Sequence, residues 1–177
     1  MKKRSFNTKK KIKKRNQFAK KLDKIPKKDC VYVDESGINK YLQRKHARSI
    51  KEVQVYGAIS GLRYARESFI AAKIESHLLA PFCYTGTCHT KLFNICLKDF
   101  LIPELKPGQV VMRDNASFHK SQESQRLIEK AGCKILFLPP HSPDLNSIEI
   151  FWANFKRILQ TNLEKLKTLA EAIDFSF

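Results

Sequence analysis

Three carboxylates in this chain fall where chemistry could use them. Asp34 follows the alternating apolar residues Val31 and Val33, Asp114 stands just past the apolar run Val110 to Met112, and Glu149 sits in the first turn of an apolar helical pattern. A carboxylate just past a strand end is held rigidly. If the strand that carries Asp34 is central and lies beside the one that leads to Asp114, all three acids converge on one edge of a sheet. Hard oxygen donors of this kind suit Mg²⁺ or Mn²⁺, which retain waters and complete their shell with substrate phosphate. Two such ions about 3.5 to 4 Å apart can activate a water or a 3′ hydroxyl and stabilise the leaving oxygen of an in-line displacement. The substrate implied is a phosphodiester. Each acid also has a plainer reading: Asp forms turns after strands, and Glu149 could complete a capping box with Asn146. Joint placement at matched ends of elements weighs towards the metal-dependent reading.

The elements that must hold these acids follow from periodicity. Val110 to Met112 and Ile135 to Leu138 have the length of buried strands, and the second stops at Pro139-Pro140, which cannot donate to a ladder. Between them Ser121 can cap a helix whose Leu127, Ile128 and Ala131 share a face, with Gly132 suited to the position after its end. Strand, helix, strand in this order predicts a parallel pair. Downstream, Ile148, Phe151, Trp152, Phe155, Ile158 and Leu159 make one apolar helical stripe, with Asn146 as its expected N-cap and Glu149 at its shoulder. Upstream, VYVDES is a strand ending at Gly37, and residues 38–52 are a basic loop. Val53 to Ile59 and SFIAAKI form a hairpin, and Pro81 to Thr87 is a loop. A helix spans His89 to Leu101, closed off by Pro103 and Pro107-Gly108, and a last helix starts near Thr161 with Glu164 in its capping box. The expected fold is α/β: a mixed sheet of three antiparallel strands and then two parallel ones, flanked by helices.

At 177 residues the chain is about one domain. Its net charge of +17 is uneven, because residues 1–28 hold 14 Lys or Arg and a single acid, Asp23. Residues 1–28 are therefore expected to form a basic, flexible arm, with the folded domain in 29–177. A polybasic arm attracts polyanions by counterion release, and the lysine excess favours contact with phosphate over reading of bases. A solvated tail without a partner is the alternative. No central apolar region marks a signal peptide, and no stretch approaches the roughly 18 apolar residues of a membrane span. Five cysteines, an odd number without an export signal, fit reduced thiols in a cytoplasmic compartment. Cys83, Cys88, His89 and Cys96 lack the paired CxxC spacing of a zinc knuckle.

The same residues carry a resemblance. VYVDESG, VVMRDNASFHKS and LFLPPHSPDLNSIEIFWANFKR are similar to the three signature blocks of the DDE transposase catalytic domain, in the mariner superfamily and its bacterial insertion-sequence relatives. Between Asp114 and Glu149 lie 34 residues, the separation typical of that group. The resemblance spans about Val31 to Leu159 and implies a ribonuclease-H-like fold, with Asp34, Asp114 and Glu149 as catalytic and metal-binding residues for two Mg²⁺ ions, Mn²⁺ substituting. It implies DNA strand cleavage at transposon ends, strand transfer into target DNA, a dimer on DNA, and Asn115 and His119 as supporting groups rather than ligands. Ser147 stands where relatives usually have Pro, and His141 where Tyr is common. Arg113 precedes a metal carboxylate, and strand alternation should turn it away. Relatives carry a helix-turn-helix module of about a hundred residues that reads the transposon end. The expectation is therefore a catalytic domain, associated with the nucleoid, that relies on a separate end-binding polypeptide or a full-length transposase. A catalytically inactive remnant that only binds nucleic acid is the alternative, and a nuclease that cleaves without joining is a third reading.

Overall fold

The computed structural model describes residues 2–39, 66–116, 118–140 and 142–163; for 2–10, 39, 118, 162 and 163 it describes the backbone alone. Five strands form one mixed sheet: β1 (Cys30–Asn39), β2 (Arg66–Ile74), β3 (His77–Thr85), β4 (Val110–Arg113) and β5 (Lys134–Phe137). Their order is β3-β2-β1-β4-β5, so β1 is central. It runs antiparallel to β2, with Asp34 opposite Ala71, and parallel to β4, with Tyr32 opposite Met112. β4 and β5 are parallel, joined by a helix, α3 (Gln122–Lys130). The expected three antiparallel and two parallel strands are present.

Alternation along β1 and β2 distributes their side chains between two cores. Val31, Val33, Ile70 and Ala72 join Val111 and Ile128 in one cluster, which takes in Phe93, Cys96, Leu97 and Leu101. The last four come from α2 (Thr90–Cys96) and the wider π-turn Leu97–Leu101 that continues it. On the opposite face Ile38, Phe69 and Ala71 pack against Ile148, Trp152, Phe155 and Leu159 of α4 (Ile148–Leu163). Ser121 caps α3 by accepting from the Ser124 backbone N–H at 3.1 Å, and Gly132 takes a left-handed φ of 73° beyond its end, as its sequence position required. Buried Asn94 locks α2 to α3, its amide donating to Glu123 (2.6 Å) and its carbonyl accepting from Ser124 Oγ (2.7 Å).

Three elements differ from expectation. The third antiparallel strand is β3, which includes residues read above as the loop Pro81 to Thr87, whereas residues 53–59 lie outside those described. No Gly or Asn marks the β2–β3 turn, which places Glu75 at φ 49°, and Ala80 at φ 48° breaks the alternation within the strand. Pro81 is tolerated because β3 is an edge strand, where a missing N–H need not break a ladder. Thr161 does not open a new helix: it lies inside the last turn of α4 (Ile148–Leu163), its Oγ1 donating to the Arg157 carbonyl at 3.2 Å, while Glu164 and the residues after it lie outside those described.

The third difference is the basic arm, where a helix, α1 (Lys2–Leu22), replaces the flexible segment expected from composition. Lys and Arg are good helix formers, and Phe18, 4% exposed, inserts among Cys30, Val110, Met112 and Leu138, with Leu22 and Ile25 beside it. Phe18→Ala should weaken this contact by about 3 kcal/mol, the low end for such truncations, or about 100-fold in the opening equilibrium. Faster trypsin cleavage after Lys20 and Lys21 would report it; an unchanged cleavage rate would show that α1 is not held by Phe18.

Candidate active site

Asp34 and Glu35 are neighbours on β1 and so project to opposite faces of the sheet. Asp34 is largely buried. Its Oδ1 accepts from the Glu35 backbone N–H (2.9 Å), and its Oδ2 accepts from Asn146 Nδ2 (3.1 Å). Burial, then the charges of Glu35 and Glu149, and more weakly that of Asp114, push its carboxyl up to about 7. Several acids thus repel one another around Asp34, a situation that bound dications relieve.

Asp114 lies one residue past β4. Its Oδ1 accepts from the Ala116 backbone N–H (2.8 Å) and from His119 Nδ1 (2.6 Å). The His119 bond most of all, then the Ala116 bond and the charges of His119 and Lys120, holds this carboxyl below its ordinary value against the opposing effect of burial. Asn115 anchors the same loop by donating from Nδ2 to the Leu138 carbonyl (2.5 Å), across the ends of β4 and β5.

His119 is completely buried, its ring centroid 4.5 Å from that of Phe93. Its Nε2 lies 2.6 Å from Glu35 Oε1, so one imidazole joins two carboxylates. A neutral ring could donate through only one nitrogen, and both acceptors are acids. The ring is therefore protonated: burial alone would push its pKa down, but the bonds to Asp114 and Glu35 carry it up to about 9. Glu35, His119 and Asp114 form a line of hydrogen bonds that passes from one strand of the sheet to the end of its neighbour.

Glu149 stands in the first turn of α4, its N–H donating to the Asn146 carbonyl at 3.1 Å. Asn146 departs from its expected role. Its side chain, 4% exposed, reaches Asp34 instead of capping α4, and its Oδ1 has no hydrogen-bond partner. An Asn before an apolar helix reads as a cap in any sequence, and only the fold reveals the nearer acid. Asp34, Asp114 and Glu149 line one open cleft, walled by Asn115, Ala116, Leu138, Pro139, Pro140, Ser142, Pro143 and Asn146. The chain thus brings all three predicted acids together. Among the described residues, no three acids, imidazoles or thiols already stand at metal-holding separation. The donor set, three carboxylates in one cleft, still fits a hard dication.

Arg113 does not line the cleft, in keeping with strand alternation. Its buried guanidinium sits 5.2 Å from the Phe137 ring centroid without a hydrogen-bond partner, and burial lowers its pKa to about 10 although the Glu35 charge opposes this. All five cysteines are free thiols. Two contributors were missed from sequence, Glu35 as the second partner of His119 and Asn146 as the partner of Asp34. Alternation along β1 could have placed Glu35 opposite Asp34, but not against His119.

A central β1 beside a parallel β4, an antiparallel wing, helices on both faces, and acids at one sheet edge define a ribonuclease-H-like domain. The chain belongs to the family described as DDE superfamily endonuclease, whose model matches residues 29–170. No curated protein matches it. Among solved structures, a pre-cleavage Mos1 transpososome has the same fold at 14% identity, with a TM-score of 0.65 over 84% of this chain and 49% of that one. The Mos1 mariner paired end complex with Mn matches at 14% identity and TM-score 0.60 over 94% of this chain and 56% of the other. The catalytic domain of Mos1 mariner transposase matches at 12% identity and TM-score 0.55, over 90% and 72% respectively. The chain spans about half the length of the first structures it matches.

Proposed function

We infer that this chain is the catalytic domain of a transposase that cleaves DNA at the ends of an insertion sequence and joins them to target DNA. The observation that carries this reading is the meeting of Asp34, Asp114 and Glu149 in one cleft of a DDE-family domain. Asp34, Asp114 and Glu149 would hold Mg²⁺, or Mn²⁺ in its place. When bound, a pair of such ions polarises the scissile phosphate and activates the attacking hydroxyl. The protein's own part is positional. Asn146 fixes Asp34, and His119, itself braced by Glu35, fixes Asp114 through Oδ1. That leaves Asp114 Oδ2 outside both hydrogen bonds.

Likeness to transpososomes and paired-end complexes supports a dimer that holds two DNA ends. With a precut end, target plasmid and Mg²⁺, the expected result is covalently joined product. Nicked target without joining would favour a nuclease, and binding without any cleavage in Mg²⁺ or Mn²⁺ would favour an inactive remnant.

A further inference from the structure

We propose that the α1 flank facing β5 is a phosphate track that guides a DNA strand into the acid cleft. The proposal rests on the reading of DNA as substrate and adds where on the chain that DNA runs. A second groove lies between Lys14, Gln17, Phe18 and Lys21 of α1 and residues 136–140. Asn115, Leu138, Pro139 and Pro140 line both this groove and the acid cleft, so the two share a wall.

Helical spacing sets the character of the track. Lys14, Gln17, Phe18 and Lys21 follow the i, i+3, i+4, i+7 pattern of one helix flank. Phe18 is buried beneath it, whereas Lys14, Gln17 and Lys21 are exposed. The groove therefore has an apolar floor of Leu136, Phe137 and Leu138 and a rim with two ammonium groups. This combination suits the sugar face and the phosphates of a nucleic-acid backbone, not base edges.

The helix is also registered against the cleft itself. Arg15 makes a two-pronged pair with Asp144, Nη1 to Oδ1 at 3.0 Å and Nη2 to Oδ2 at 2.5 Å, and Nη1 donates to Ser142 Oγ at 3.0 Å. Ser142 lines the acid cleft, and Asp144 lies on the same segment that leads to Glu149. A basic tail tethered only by its sequence would have no reason to hold this register.

Charge alone cannot imitate the prediction, because α1 supplies an internal control. Lys13 and Lys20 are also exposed, but they lie about 100° further round the helix axis on average, with Asn16 on the side away from Phe18. Lys14→Glu/Lys21→Glu and Lys13→Glu/Lys20→Glu change net charge equally. Binding to a short duplex with a single-stranded end is measured without divalent ions from 50 to 300 mM salt. The first pair should lose about tenfold or more in affinity, and its log–log salt slope should shrink by about 1.8, close to two phosphate contacts. The second should lose about threefold at most. Equal losses in the two pairs, with matched thermal melting, would overturn the track. Cleavage and joining by the unaltered chain are assayed separately. Activity without dependence on the flank removes only the track, and dependence on the flank without activity removes only the catalytic reading.

Discussion

Asp114→Asn is expected to abolish strand cleavage and strand joining together, each by about 10³-fold or more, while DNA binding persists. The magnitude follows if Asp114 is one charged donor to a dication, whose contribution to the transition state would be several kcal/mol. Both reactions displace an oxygen at phosphorus and, under the proposed function, would use the same acids, so neither should survive alone. The substitution changes few atoms. Asn Oδ1 can still accept from the Ala116 N–H and from His119, which keeps the loop in place. The imidazole loses a charged partner but retains Glu35, so its pKa should fall from about 9 while remaining supported from the Glu35 side. NMR titration of the ring reports the local change, and gel shift reports the binding. Rates within tenfold of the parent in Mg²⁺ would remove Asp114 from the site. Loss of binding as well would mean that the variant had disturbed more than a metal ligand.

The parts of this architecture that were legible in the sequence are those set by short apolar runs with clear boundaries. Val110 to Met112 and the run closed by Pro139-Pro140 are bounded by residues that cannot continue a ladder or that form turns, and α3 begins and ends on Ser121 and Gly132. Asp114 stands at one of those boundaries, just past β4, whereas Asp34 lies inside the longer β1 and Glu149 in the first turn of α4. β3 was hidden because its turn uses Glu75 rather than glycine and because Ala80 interrupts the period of two. α1 was hidden for a different reason. Its lysines describe a solvated segment, and among the described residues the buried Phe18 with Leu22 beside it, and the Arg15 bonds to Asp144 and Ser142, hold it against the domain. Tertiary contacts of this kind have no local signal. The same holds for Asn146, whose local context says cap while the fold offers it a carboxylate 112 positions away in sequence.

A second large effect concerns stability, with a sign opposite to that of function. Asp34→Asn should inactivate the domain as fully as Asp114→Asn, yet raise its thermal stability at pH 8 in the absence of divalent ions. Asp34 binds its proton more tightly in the folded chain, at about 7 against an ordinary 3.8, because burial and the charges of Glu35 and Glu149 oppose ionisation. The unfolded chain therefore binds fewer protons than the native one between pH 4 and 7, and stability attributable to this group falls as pH rises through that window. Above pH 7 the penalty is fully present, on the order of 2 to 4 kcal/mol. The amide carries no such penalty. It can keep the Glu35 N–H through Oδ1, and a flip of the Asn146 amide would present its unpartnered Oδ1 to the new NH₂. Melting at pH 4, 6 and 8 should show the variant matching its parent at the lowest value and exceeding it progressively above. Mg²⁺ should then stabilise the parent more than the variant, since binding to the native state raises stability in proportion to affinity. A parent as stable as Asp34→Asn at pH 8, or a gap that does not grow with pH, would show that the acids around Asp34 do not repel one another in the folded domain. The cleft would then lack the excess negative charge that makes it a place for dications.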